Sequence, residues 1–372
     1  MESMVTVNLD FWKKKKVLIT GHTGFKGSWL VSWLKSLGAD IVGYSLPPPT
    51  KINLFDIANV KDSIISIEGN VNDFNHLKRV LKENKPEIVF HMAAQSLVHR
   101  SYLEPRETFE TNIMGTVNLL ESIRHQGGIK VIVNVTSDKC YENKEKDTGY
   151  KENEPLGGHD PYSSSKACSE IITSAYRSSF YGSHALLNKN LYLASARAGN
   201  VIGGGDWSQD RLIPDIIRSI FDSVPLNIRN PNAVRPWQHV LEPLSGYILL
   251  AEKLWSSGDK YSESWNFGPD KGDIKSVIWI FEKFAELWKE KIKMTVKDSS
   301  EWHETKCLML DSTKARKDLG WKPVWNIDTA MKKTVDWYKS YKEGRNMHEV
   351  TMSQIKEYEK ELIQKSDNLL NI

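Results

Sequence analysis

Residues 17–27 read VLITGHTGFKG, and this stretch decides the fold. Residues 17–20 form a short apolar, β-branched run, the composition of a strand covered on both faces. Gly21, Gly24 and Gly27 follow at a spacing of three, and a helical pattern begins at about residue 24 and runs to about 37. A strand that ends in glycines and enters a helix makes a tight turn. Its bare N–H groups and positive helix end suit a pyrophosphate. The spacing is GxxGxxG rather than GxGxxG, and glycines alone would also serve any tight turn. At the first strand–helix junction of an alternating array, the dinucleotide reading is favoured. Thr23, Phe25 and Lys26 stand between the glycines and complete the expected cofactor turn.

The array extends outward from this junction. Strand-like runs recur at 40–46, 63–69, 87–93, 130–135 and 191–198, separated by helical patterns near 74–83, 105–125 and 162–180. Strands alternating with helices of this length predict βαβ units and a parallel sheet with helices on both faces. The expected class is therefore α/β: a doubly wound Rossmann sheet with a smaller, mixed C-terminal domain. Residues 1–198 are assigned to the dinucleotide-binding domain, with 236–270 returning to it. Residues 199–345 are assigned to substrate binding, and 346–372 to a peripheral helical tail. The glycine-rich GNVIGGGDW at 199–207 marks the seam.

Composition narrows the partners. Fifty basic and 47 acidic residues leave a formal charge of +3, too balanced for a nucleic-acid binder. Lys13–Lys16 reads as a solvated strand entry. Three cysteines without metal spacing point to a reducing compartment and no metal site. No apolar run reaches the ~20 residues of a membrane span, and none precedes the first lysines as a secretory leader would. The expectation is a cytoplasmic protein with neither nucleic acid nor membrane as partner.

Three further segments carry chemistry. The second strand ends in GYSL, placing Ser45 where an acid usually holds the adenosine ribose, so NAD and NADP both stay open. After the third strand, Asn70 and Val71 flank the expected adenine edge, while Asp73 reads as the cap of the next helix. The strand at 130–135 runs into VTSDKCY (135–141), a turn with an acid beside a base, Asp138 and Lys139. YSSSK follows HDP and opens a helix, with Tyr162 and Lys166 four apart on one face. A cation near a phenol lowers its pKa and makes it a usable base.

These motifs, with HMAAQS (91–96), TNIMGT (111–116), RAGNVIGGGDW (197–207) and RPWQHVLEP (235–243), resemble the extended short-chain dehydrogenase/reductases that act on nucleotide-sugars. Within them the chain is most similar to the 4,6-dehydratase branch that takes CDP-glucose, over about residue 11 to beyond 340. The resemblance implies a catalytic NAD and a cofactor pocket that also includes Ala93, Ala94, Gln95, Asn112 and Thr136. Gln95 and Ser96 are then expected near the sugar, and Asn200, Arg211 and Arg235 near the diphosphate.

Guanidinium forks pair well with phosphate oxygens, an argument independent of the resemblance. The implied reaction oxidises sugar carbon 4, expels water across carbons 5 and 6 and returns the hydride to carbon 6, in deoxysugar synthesis for surface polysaccharide. Tyr162 and Lys166 serve the oxidation, with Ser137 favoured over Thr136 on the same oxygen. Asp138 is the implied acid and Lys139 the implied base. Relatives acting on dTDP-glucose carry a glutamate where Lys139 stands. The resemblance also implies a homodimer or homotetramer. The competing readings are a 4-epimerase on the same scaffold, a dehydratase for another NDP-glucose, and a non-catalytic nucleotide-binding protein.

Overall fold

The computed structural model describes residues 7–146, 148–186, 190–296 and 307–370; the first six residues, where no leader is expected, lie outside these. Seven strands form one sheet. In chain order the first six are β1 (Lys16–Thr20), β2 (Asp40–Ser45), β3 (Ile65–Glu68), β4 (Ile88–His91), β5 (Val131–Val135) and β6 (Tyr192–Ala198). The seventh, Ser264–Phe267, lies at the edge, and the spatial order is Ser264–Phe267, β6, β5, β4, β1, β2, β3. Every pairing is parallel. β5 and β4 are buried throughout, as strands with helices on both faces must be.

The chain runs outward from β1 in one direction through β2 and β3, then restarts at β4 and runs the other way. This reversal opens a crevice at the carboxyl ends of β1 and β4, where doubly wound folds take their ligands. The helix Phe25–Ser36 leaves β1, and Pro161–Phe180 precedes β6. Residues 236–270 supply the helix Leu241–Ser257, which packs against β5 and β6, and the edge strand. The remaining C-terminal residues form short two-stranded pairs and the helices Leu212–Asp222, Val277–Trp288 and Ile327–Lys342.

The tail is not peripheral, contrary to the expectation from its charge. Helix Met347–Leu370 packs against Phe25–Ser36 and Ile327–Lys342. Met347, Thr351, Ile355, Tyr358 and Leu362 are buried along one stripe of it. Three hydrogen bonds fix its register: Trp337 Nε1 to Thr351 Oγ1 at 3.0 Å, Tyr358 O–H to Glu242 at 2.7 Å and Trp33 Nε1 to Glu359 at 2.8 Å. Apart from Glu359, which Trp33 holds, most of its charged residues form the solvent face, and the helical spacing of the apolar ones docks it.

Candidate active site

The glycine turn is built as a cradle. Gly21 sits at φ +76°, and a Cβ there would stand 2.7 Å from the Ala93 nitrogen and 2.8 Å from the Met92 carbonyl carbon. A Cβ on Gly27 would stand 2.2 Å from the Gly21 oxygen. Only glycine lets the turn, the start of the helix and the chain leaving β4 come this close. The helix that follows has no side-chain cap and no acid in its first turn, so its leading N–H groups face the crevice unclaimed. Thr23 Oγ1 lies 2.9 Å from Ser45 Oγ and donates to the Leu46 carbonyl, joining the turn to the end of β2. Asn70 and Val71 follow β3; Val71 is buried against Gly115, and Asp73 caps the helix Phe74–Asn84 through the His76 N–H.

The loop after β4 holds Ala93 to Ser96. Gln95 was expected near the sugar and beside the cofactor; its side chain turns into its own loop. Its amide donates to Thr108 Oγ1 at 2.9 Å and to the Leu97 carbonyl at 3.1 Å, and its oxygen accepts the Leu97 N–H at 2.6 Å. Asn112 locks the same loop, exchanging two 2.9 Å bonds with the Gln95 backbone and donating to Ser165 at 2.8 Å. It sits on a π-helical turn, Glu110–Met114, which interrupts the helix to aim this side chain. Gln95 is thus a structural residue of the loop, while Ser96 is exposed on the rim and accepts from Arg211 at 3.1 Å.

β5 ends in the turn Ser137–Cys140. Asp138 is buried, with Ser137 Oγ donating to it at 3.0 Å. Burial pushes its carboxyl up, against the pull of Lys139, Ser137, Arg235 and Lys26. Lys139 is partly exposed, and its N–H donates to Ser137 Oγ at 3.2 Å. Thr136 was grouped with the cofactor contacts, but its hydroxyl proton goes to the buried Glu170. Cys140 is fully buried, and burial drives its thiol well up, away from nucleophilic use.

Helix Pro161–Phe180 starts on Asp160, which caps it through the Ser163 N–H, with Pro161 preset for the first turn. Tyr162 and Lys166 are both buried beneath the Ser137–Cys140 turn. Lys166 Nζ reaches the Val135 carbonyl at 3.4 Å, and burial pushes it down to about 8, opposed by Glu170. Burial pushes the Tyr162 phenol up to about 12, with the Ser137 hydroxyl opposing. The expected lowering by Lys166 is not the governing effect. The physical reason is that the phenol is desolvated, and this penalises the phenolate more than the Ser137 hydroxyl and the Arg211 charge favour it.

Lys26 ties the halves together. Burial and the charges of Arg211 and Lys166 push its ammonium down to about 8, while Asp138 and Asp206 oppose. The cofactor turn, the Tyr–Lys helix, the Ser137–Cys140 turn and the 206–211 loop therefore share one electrostatic site. Arg211 pairs with Asp206 at 3.2 Å. Arg235 acts on Asp138, and the Asn200 carbonyl accepts the Gln238 N–H at 3.1 Å at the start of the C-terminal loops.

Sequence reasoning missed Glu170, Arg197 and Gly199. Glu170 was signalled by its spacing, four residues beyond Lys166 and eight beyond Tyr162. Gly199 was not: a Cβ there would stand 3.0 Å from Asp138 Oδ2 and 2.9 Å from Pro236 Cγ, so it makes room for the acid.

Comparison with known proteins places this geometry. The family profile described as GDP-mannose 4,6 dehydratase matches residues 18–334. A CDP-glucose 4,6-dehydratase of Salmonella typhimurium is 49% identical over 352 residues, covering 95% of this chain and 98% of that protein. A dTDP-glucose 4,6-dehydratase of Neisseria meningitidis is 27% identical over 87% of this chain and 93% of its own length. Among solved structures, a Thermotoga maritima UDP-glucose 4-epimerase with UDP-glucose superposes with TM-score 0.76 at 23% identity, over 88% of this chain and 99% of that one. A Bacillus anthracis dTDP-glucose 4,6-dehydratase in complex with NAD does so at 0.72 and 23%, over 90% and 99%. The two structures share the fold.

Proposed function

The chain belongs to the GDP-mannose 4,6 dehydratase family, and from that premise we propose that it is a hydro-lyase converting CDP-glucose to CDP-4-keto-6-deoxyglucose and water. The observation that carries the reading is the buried acid and adjacent lysine, Asp138 and Lys139, on the turn directly over Tyr162 and Lys166. The 49% identity to the Salmonella enzyme supports the CDP-sugar. A 4-epimerase loses no water and needs no such acid and base.

The glycine cradle and uncapped helix start fit a dinucleotide pyrophosphate, with Gly21, Gly24 and Gly27 and the N–H groups of Phe25 and Lys26 as its holders. Ser45 and Thr23 meet the adenosine ribose. The NAD bound in the Bacillus anthracis dTDP-glucose 4,6-dehydratase supports NAD over NADP. When bound, the nicotinamide supplies the hydride acceptor and donor, without net consumption.

The chain's residues move protons. Tyr162 takes the proton of the 4-hydroxyl. It does so as the phenolate, after its own proton has passed to solvent, and the Ser137 hydroxyl and the Lys166 ammonium stabilise that charge. A 4-ketone acidifies the proton on carbon 5. Asp138, whose carboxyl burial pushes up, delivers a proton to the departing 6-hydroxyl, while Lys139 removes the carbon-5 proton and returns it there as carbon 6 is reduced. Arg211 and Arg235 hold the diphosphate, with Ser96 and Asn200 at the rim.

Among the described residues no helix is long and apolar enough to cross a membrane, and a cytoplasmic enzyme fits this reading. A homodimer is supported by exposed apolar residues on two neighbouring helices. Phe109 and Met114 lie on one, Ile171 and Phe180 on the other. The deciding test incubates the protein and NAD with CDP-, dTDP-, UDP- and GDP-glucose and weighs the products. Loss of one water from CDP-glucose alone is expected; an unchanged mass with inverted carbon 4 would establish the epimerase instead.

A further inference from the structure

Beneath the crevice lies a buried ion pair that none of the roles above uses. Glu170 continues the face of Tyr162 and Lys166 by another turn. Its carboxylate accepts from the Thr136 hydroxyl, from Ser195 Oγ at 2.7 Å, from Ser264 Oγ at 3.2 Å and from Arg197 Nη2 at 2.7 Å. Arg197 in turn donates Nη1 to the Tyr141 oxygen at 2.6 Å and to the Glu152 carbonyl at 3.1 Å. Tyr141 donates to Asn266 at 2.8 Å and stacks on Tyr150, with ring centroids 5.2 Å apart. Thr136 and Tyr141 are the residues on either side of the Ser137–Cys140 turn.

We propose that Glu170 and Arg197 are positioning residues that clamp both ends of this turn, so that Ser137, Asp138 and Lys139 meet the sugar in one conformation. The turn's own bonds are long. Lys139 N–H to Ser137 Oγ is 3.2 Å, Cys140 N–H to the Ser137 carbonyl 3.3 Å, and Tyr141 N–H to the Asp138 carbonyl 3.4 Å. The clamp's bonds from Arg197 to Tyr141 and Glu170 and from Tyr141 to Asn266 are 2.6–2.8 Å. Stability does not explain the pair, since a buried ion pair gains little net energy over well-packed apolar residues. What it provides is one geometry, joining β5, β6, the edge strand and the Tyr–Lys helix through a single carboxylate. Glu170 also faces Lys166 across one helical turn, so its charge favours the ammonium.

The test rests on the dehydratase reading for one readout and is free of it for the other. Thr136→Val and Tyr141→Phe each remove one anchor and leave the ion pair in place; Glu170→Gln removes its charge. All three are checked for an unchanged far-ultraviolet dichroism spectrum. Hydrogen exchange is followed in the peptide spanning 136–142. Both anchor variants are expected to exchange there roughly ten-fold faster, with other peptides unchanged. On CDP-glucose they are expected to lose roughly ten- to a hundred-fold in kcat with KM within two-fold. Glu170→Gln is expected to move the basic limb of the kcat pH profile to lower pH, while Thr136→Val leaves it in place. Parent-like exchange in both folded anchor variants overturns the clamp, as does an unshifted limb in a folded Glu170→Gln. A parent without turnover on CDP-glucose refutes the function and leaves exchange to decide the clamp.

Discussion

Glu242 gives the prediction that can be worked furthest. It lies in the RPWQHVLEP motif but does not face the crevice. It is fully buried, and three donors converge on it: the Val324 N–H at 2.9 Å, the Trp325 N–H at 2.7 Å and the Tyr358 O–H at 2.7 Å. It therefore pins the GWKPVW loop and the C-terminal helix to helix Leu241–Ser257. Burial pushes its carboxyl from 4.5 up to about 7, with the two backbone donors opposing. In the unfolded chain the same group ionises near its ordinary value.

Between those two pH values the folded chain holds more protons than the unfolded one, so stability falls as pH rises. The contribution is fully present below about 4.5 and is lost as pH climbs through about 7. From pH 5 to 8 this loss amounts to roughly 2–3 kcal/mol. Glu242→Gln separates this effect from simple packing. Glutamine has one acceptor oxygen for donors that now use two, and the unmatched donor costs about 1–3 kcal/mol at every pH. The parent is thus expected to be the more stable protein at pH 5, and its advantage to vanish or invert by pH 8. Urea unfolding of both proteins across this range, followed by tryptophan fluorescence, measures the gap. A gap that stays constant from pH 5 to 8 would refute the reasoning.

Tyr162→Phe should lower turnover about 10²–10⁴-fold while the fold and NAD binding persist; near-parent turnover would remove the phenol from proton transfer. Lys139→Ala should let the 4-ketone form in a single turnover but block loss of water, read by mass spectrometry. If the substrate is never oxidised, Lys139 acts earlier than carbon 5. Gly21→Ala forces a side chain into a left-handed turn at about 1–2 kcal/mol, besides the clash with Met92 and Ala93, and should abolish NAD binding measured by calorimetry. If the proposed dimer forms through these helices, the parent should sediment as a dimer and Phe109→Glu as a monomer in sedimentation velocity. A variant that sediments like its parent would place the interface elsewhere.

Much of this protein is determined by local rules that a sequence states openly. A β-branched run, glycines and a helical pattern must make a strand, a turn and a helix, whatever surrounds them. The six strands from β1 to β6 and the glycine turn were legible for that reason. So were Tyr162 and Lys166, since four residues along a helix is one face. The chain-order neighbours Ser137, Asp138 and Lys139 came as a unit because one turn carries them.

Properties that depend on partners distant in sequence belonged to the tertiary structure. Whether Gln95 faces a sugar or its own loop is decided by Thr108 and Asn112, and whether Thr136 faces the cofactor is decided by Glu170. The pKa of Tyr162 follows from burial rather than from the spacing of its lysine. The tail's charges suggested solvent, yet one stripe of it is buried, and its Glu359, Thr351 and Tyr358 bond to Trp33, Trp337 and Glu242. Desolvation and hydrogen-bond allegiance are sums over everything packed around a group. Such a sum exists only once the chain has folded.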